Sequence, residues 1–376
     1  MRCRIIAVIL LCPLLLGSCD YHRMDKMNIV AGIAVDKNES NDSYLLTLEV
    51  VNTALVGEDK NSSSIYIEAE GPTLFEAVLN SKKRLYNRLY MGGARTVIIS
   101  SDIAENEGIS SIIDGFLRNI ELRETINIVI SQQETARELL VVEGLDVKNV
   151  SYEIAEIVEE DQRVDSTSKQ VDMYQAYNHM MAPGRELVLP AFHLVLNNEK
   201  PAVEINGIAL FNGDRLTGYL SPEDTHFFLM LADNKSGGAL SFLLDNRMIS
   251  TRIYSCIRKI SYSYSDGRLT VPVKVSMDIS IMEIEGSNVD VKELEASAEE
   301  YLCERILQTL AHLQAMPSGD IIGLGNYIYK TDNKLWQEIS GDWPQIFQNA
   351  DFQISANIHV VNTGLTTTQS HRPHYT

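Results

Sequence analysis

Covalent chemistry has one clear candidate in this 376-residue chain, Cys19, and acid–base chemistry has one dense run of carboxylates. Cys19 follows Leu16-Gly17-Ser18, an aliphatic residue and two small ones. Small side chains let a peptidase approach the bond before the cysteine, and its thiol is the side chain here able to form a thioether with a diacylglyceryl group. The carboxylates are Glu153, Glu156, Glu159, Glu160 and Asp161. Two such groups can divide acid and base roles at a glycosidic bond, but so many on one helical stretch read better as a solvated face. Gly323-Leu324-Gly325 is half a phosphate loop without a third glycine or a strand-to-helix context, and reads as a turn.

The eight histidines (His22, His179, His193, His226, His312, His359, His371 and His374) show neither HExxH nor Cys/His ligand spacing. No GxSxG and no Walker loop occurs. The expectation is no catalytic residue, no metal and no cofactor. Trp336, Trp343 and Phe347, with Tyr327 and Tyr329, make the one aromatic-dense stretch. It could line a ligand groove, though packing of a long helix on a sheet is the preferred reading.

The elements that would position these residues begin with a leader. Met1-Arg2-Cys3-Arg4 is basic, and Ile5 to Leu16 is a twelve-residue apolar run. As a helix it would rise about 18 Å, short of the ~30 Å hydrocarbon core. Residues 1–18 therefore read as a signal peptide, which makes Cys19 the lipidated N-terminus of the mature chain. The alternatives are an ordinary secretory leader followed by a chance cysteine, or a buried strand. With Cys3 and Cys12 removed and Cys19 acylated, Cys256 and Cys303 remain. Two buried free thiols are preferred there over a disulfide.

Composition is that of a globular protein, with 45% hydrophobic and 22% charged residues and a net charge of −19. It excludes a disordered, fibrous or multi-span chain. The negative surface argues against nucleic acid and against docking on anionic lipid by charge. Patterning predicts an α+β chain of three mixed regions. Residues 19–185 alternate strands (28–36, 44–51, 65–69, 96–100, 126–131) with helices at 73–89, 109–118 and 151–181. Residues 186–257 hold a strand pair at 203–211 and 215–220, followed by a helix capped by Ser221-Pro222. Residues 258–365 start with a hairpin around Asp266-Gly267, in which Pro272 marks part of the returning strand as an edge. An antiparallel sheet, a long helix at 291–316 and a last strand at 352–361 complete that region. The tail, 366–376, reads as flexible.

The order of several short stretches resembles the Ger(x)C family of spore germination lipoproteins, the C subunits of nutrient germinant receptors. They are Phe116-Leu117-Arg118-Asn119-Ile120-Glu121-Leu122-Arg123, Gly207-Ile208-Ala209-Leu210-Phe211 with Leu216, Gly218, Leu220 and Ser221, and Asp320-Ile321-Ile322-Gly323-Leu324-Gly325 followed by Trp336, Trp343, Phe347 and a strand ending at Gly364. After Cys19 this chain has Asp20-Tyr21-His22 where the family usually has a Trp-Asp pair, and the segment to Gly32 is one residue shorter. The resemblance implies a non-enzymatic, palmitate-bearing lipoprotein of three domains on the outer face of the spore inner membrane. It further implies assembly with two integral membrane subunits, and leaves open whether a nutrient touches this chain. A ligand-capturing lipoprotein of a transporter and an extracytoplasmic hydrolase are the alternatives.

Overall fold

The structure is a computed structural model that describes residues 27–38, 40–51, 64–118, 121–145, 148–233, 237–284 and 290–362. The expected signal peptide, Cys19 and the expected flexible tail lie outside the described residues.

The described part opens with an antiparallel meander, β1 (Met27–Asn38), β2 (Ser43–Val50) and β3 (Ile65–Gly71), and continues through α1 (Leu74–Lys82), β4 (Arg88–Tyr90) and β5 (Thr96–Ser100). Next come α2 (Ser101–Asn106), α3 (Ser110–Leu117), β6 (Asn127–Ser131), α4 (Ala136–Leu140), α5 (Val150–Val164) and α6 (Met173–Met181). Then follow β7 (Val188–Asn197), β8 (Lys200–Asn212) and β9 (Arg215–Leu220). All these strands form one nine-stranded sheet, in the order β3-β2-β1-β5-β6-β7-β8-β9 with β4 beside the start of β1. Its centre is parallel and its flanks antiparallel.

Both faces of that sheet are covered, which is why β5 and β6 are short, continuously apolar runs buried along their length. Val97 and Ile99 face a core closed by α1, α2, α3 and α6, whereas Ile98 faces one closed by α4 and α5. The helix at 73 starts as expected, with the Thr73 hydroxyl accepting from the Glu76 amide. It stops at Lys82, short of 89, because residues 88–90 instead pair in parallel with Met27–Ile29. Ladder bonds to a distant strand outweigh the modest helix propensity of that stretch.

The remaining elements are α7 (Pro222–Ala232), β10 (Ala239–Leu244), β11 (Arg247–Ile260), β12 (Ser263–Ser265), β13 (Arg268–Ile284), α8 (Val291–Ala315), α9 (Leu324–Thr331), α10 (Asn333–Ile339), α11 (Trp343–Gln348) and β14 (Asp351–Asn362). The five strands make a second sheet, antiparallel except for β14, which joins β13 in parallel. Asp266 and Gly267 have φ of 52° and 75°, both positive as a type I′ hairpin turn requires. α8 presents Leu294, Ala298, Leu302, Ile306, Leu310 and Leu313 to the sheet, all buried.

Pro272 is not on an edge. β13 lies between β14 on one side and β11 and β12 on the other, with Pro272 opposite Gln353. On the far side the Pro272 carbonyl accepts from the Ser261 amide, at the break between β11 and β12. Its missing N–H faces that break, so the sheet loses no ladder bond.

Among the described residues the anticipated middle region, 186–257, has no sheet of its own. β7 pairs with β6 through Ile130–Ala191 and Ser131–Phe192, which brings β7 to β9 into the first sheet, while β10 and β11 belong to the second. β8 serves both cores: Ala209 and Phe211 point into the first, Ile208 and Leu210 into the second. α7 packs against β8, α8 and β11 and so joins the two sheets.

Candidate functional site

The aromatic residues of the C-terminal stretch converge from two helices and a strand. Ring centroids of Trp336 and Trp343 are 5.4 Å apart, those of Trp343 and Phe347 6.2 Å, and those of Phe347 and Phe352 on β14 6.2 Å. All four are buried within the second core, alongside Leu310 and Leu313 of α8. Gln314 of α8 donates to the Phe347 and Ala350 carbonyls, both at 3.0 Å, and ties α11 to the long helix. Dense edge-to-face aromatic contact is how such residues stabilise a core.

Beside this cluster the Gly323-Leu324-Gly325 loop closes around a carboxylate. Asp320, 3% exposed, accepts from the Gly323 amide at 2.8 Å and the Gly325 amide at 2.7 Å. The indole N–H of Trp343 is directed toward the same carboxylate without forming a hydrogen bond of good geometry. Burial pushes the Asp320 carboxyl up to about 6, although the amides favour its charged form. Gly323 is left-handed, at φ 82°, and turns the chain into α9. The loop is a turn whose amides are already taken by a side chain, which leaves no phosphate cradle there. Gly184 and Pro183 complete the joint, with the Gly184 carbonyl accepting from the Asn326 amide at 2.9 Å and the Pro183 carbonyl from Asn326 Nδ2 at 3.1 Å.

The acidic run does not form one solvated face. Glu156 and Glu159 pair with Arg95, and Glu159 and Glu160 with Arg163, all at the surface. Glu153 and Asp161 are buried instead. Asp161 accepts from the amides of Thr167 and Ser168 and from the Thr167 hydroxyl, and so shapes the loop after α5. Burial is the cause that moves its carboxyl upward. The periodicity that puts Asp161 on the inner side of α5 is visible in the sequence, but the loop that hydrogen-bonds it is not. Among the described residues no three His, Cys, Asp or Glu side chains are grouped to hold a metal ion. Cys256 is buried and Cys303 half-buried, and neither is in a disulfide.

Sequence reading missed a cationic groove. Arg185, Arg258, Lys259 and Lys330 line a cavity of about 600 Å³ together with Ile322, Leu324 and Tyr327. Lys169, 7% exposed, is bonded to Asp233 at 3.1 Å and contributes its charge to the same region. These residues come from the loop before β7, from β11 and from α9, and nothing in their local sequence spacing signals a common site.

Comparison with known proteins supplies a family. The model of the "Spore germination protein N-terminal domain" matches residues 20–194, and that of "Spore germination B3/GerAC like, C-terminal" matches residues 206–364. The chain belongs to the Ger(x)C family of spore germination proteins. It is 24% identical to Spore germination protein A3 of Bacillus subtilis (strain 168), over 97% of this chain and 98% of that protein. Identity is 21% to Spore germination protein KC of the same organism, over 97% and 96%, and 21% to Spore germination protein GerQC of Bacillus cereus, over 96% and 99%. The fold is similar to the crystal structure of the GerBC protein, with a TM-score of 0.60 at 14% identity over 88% of this chain and 97% of that one.

The stretches that carry the Ger(x)C resemblance serve here as joints. Gly207, at φ 73° in β8, lies so close to the Leu220 carbonyl that no side chain fits between them. The turn from Asp320 to Gly325 is the Asp320 knot. Phe116 is buried under the first sheet, and Arg118 beside it pairs with Asp114 at the surface.

Proposed function

We propose that this chain is a lipid-anchored, non-enzymatic subunit of a spore nutrient germinant receptor. It is tethered through Cys19 to the outer face of the spore inner membrane and assembles there with two integral membrane subunits. The observation that carries the reading is the family match, which begins at residue 20, directly after the lipobox-like Leu16-Gly17-Ser18-Cys19. Among the described residues no helix is long and apolar enough to cross a membrane; in this reading attachment rests on the lipid. Burying acyl chains supplies it at about 0.8 kcal/mol per methylene, and two chains hold where one would not. Confinement to the bilayer surface raises the concentration of the subunit beside its partners.

The test is intact mass and membrane partitioning of the native protein beside Cys19→Ala, followed by a pull-down from detergent-solubilised spore membranes. A diacylglyceryl mass on Cys19, release of the alanine variant with impaired germination, and two co-purifying multi-span proteins are the expected results. An unmodified native chain, or a Cys19→Ala protein that stays membrane-bound with normal germination, would overturn the reading.

A further inference from the structure

We infer that the groove lined by Arg185, Arg258, Lys259 and Lys330 is a binding site for a small molecule bearing one carboxylate or phosphate group. Cations are the minority charge in this chain, 32 against 51 acids. Four of them nevertheless line one cavity, with Lys169 close behind. The anions available to balance them are few. Asp233 is already bonded to Lys169 and is the acid that acts most strongly on both Arg185 and Arg258. Asp320, the other acid that acts on Arg185, has its oxygens turned to the amides of Gly323 and Gly325.

The two guanidinium groups are left with unused capacity. Nε of Arg185 and Nε of Arg258 are both buried, and neither has a hydrogen-bond partner among the described residues. Burial disfavours the charge on Lys169, Arg185 and Arg258 alike. A half-buried charge that must share its countercharge is costly to a fold, and an arriving anion offsets that cost. Guanidinium forks suit planar carboxylates and phosphates.

The shape of the groove agrees with this chemistry. Gly323, in its left-handed conformation, leaves room for the Arg185 side chain, whose Cγ and Cδ lie 3.4 Å from where a Cβ on Gly323 would stand. The first amides of α9 are engaged by Asp320, by the Gly184 carbonyl and by the Gly323 carbonyl, so the side chains hold the anion. Ile260, Ile322, Leu324 and the ring of Tyr327 offer apolar wall for the body of the ligand. A volume near 600 Å³ is of small-molecule size.

The experiment is titration calorimetry of the full chain in neutral detergent at constant ionic strength, with inorganic phosphate and succinate as probes. Saturable binding near one site per chain is expected, weakened about tenfold in Arg258→Gln, as loss of a charge-assisted bond predicts. Lys330→Gln, at an exposed position where folding is not at stake, weakens it less but measurably. Exposed Lys292→Gln on α8 leaves it unchanged. Displacement of phosphate by monomeric short-chain phosphatidylglycerol assigns the anion to a lipid headgroup, and absence of displacement assigns it to a free solute; both support the site. Absence of saturable binding by either probe, or equal binding in the Arg258 and Lys330 variants and the parent, overturns it. No membrane partner or acylation is required, so the outcome stands apart from the receptor assignment.

Discussion

A Cβ built on Gly325 would come within 2.7 Å of both Cε2 and Nε1 of Trp343. The first turn of α9 therefore lies directly against the indole, and the aromatic cluster and the Asp320 knot are one packed unit. That contact is what a glycine at the start of a helix is needed for here.

Gly325→Ala is expected to destabilise the chain by about 1–3 kcal/mol, the usual cost of overpacking a filled core. Gly218→Ala on β9, where nothing lies within 4 Å of the new methyl and φ is not positive, is the control. It should stay within about 0.5 kcal/mol of the parent. Denaturant midpoints of the two variants measure the contrast, and equal losses would contradict the packing account.

Asp320 gives the stability curve a sign that can be checked. Its folded-state carboxyl is raised from 3.8 to about 6 by burial, so the native state holds the proton more tightly than the unfolded chain. Its stabilising effect is then complete below 3.8 and is lost as pH climbs through about 6. The stability gap between the parent and Asp320→Asn should shift against the parent over that interval. Unfolding free energies at pH 4, 5, 6 and 7 would show it, and a flat gap would contradict it.

Glu49, fully buried at the end of β2, accepts from the amides of Val150 and Ser151 at 3.0 and 2.9 Å, and from Asn149 Nδ2 at 3.3 Å. It therefore anchors the N-terminus of α5 to the sheet. Glu49→Ala leaves the amides of Val150 and Ser151 and the Ser151 hydroxyl buried without that acceptor, at about 1–3 kcal/mol each, whereas Asn149 Nδ2 keeps the Ser64 hydroxyl. A loss of at least about 3 kcal/mol is expected, with Glu49→Gln costing less. Urea midpoints of the two variants decide it.

Cys303 is half-buried and its thiol is pushed up by burial. Little thiolate is present near neutral pH, and modification should be slow in the folded protein. Titration with a thiol-specific disulfide reagent should count both Cys256 and Cys303 promptly after unfolding, without prior reduction, and more slowly before it. A requirement for reductant would show that the two are bridged.

Much of the local structure was legible in the residues. The six apolar positions of α8 come at helical spacing, and all six are buried. Ser221 accepts from the Asp224 amide at 3.1 Å and caps α7, as Ser-Pro before an acidic turn implies. Asp266-Gly267 makes the tight turn that its type demands. Pro272 was misread because an edge was inferred from one strand alone, whereas its missing donor faces a break in the neighbouring strand.

Sequence by itself thus determined the long helix α8, the cap of α7, the Asp266-Gly267 hairpin and the family, because caps, turns and periodicity are properties of residues a few positions apart, and because short stretches recur in a set order. Tertiary structure decided where those elements went. It assigned β7 to β9 to the first sheet through pairing with β6, halted α1 so that residues 88–90 could join β1, and buried two members of an acidic run that looked solvated. It also drew Arg185, Arg258 and Lys330 to one groove. Each of these outcomes depends on hydrogen-bond partners or on loss of solvent supplied by residues far away along the chain, and those exist only after folding.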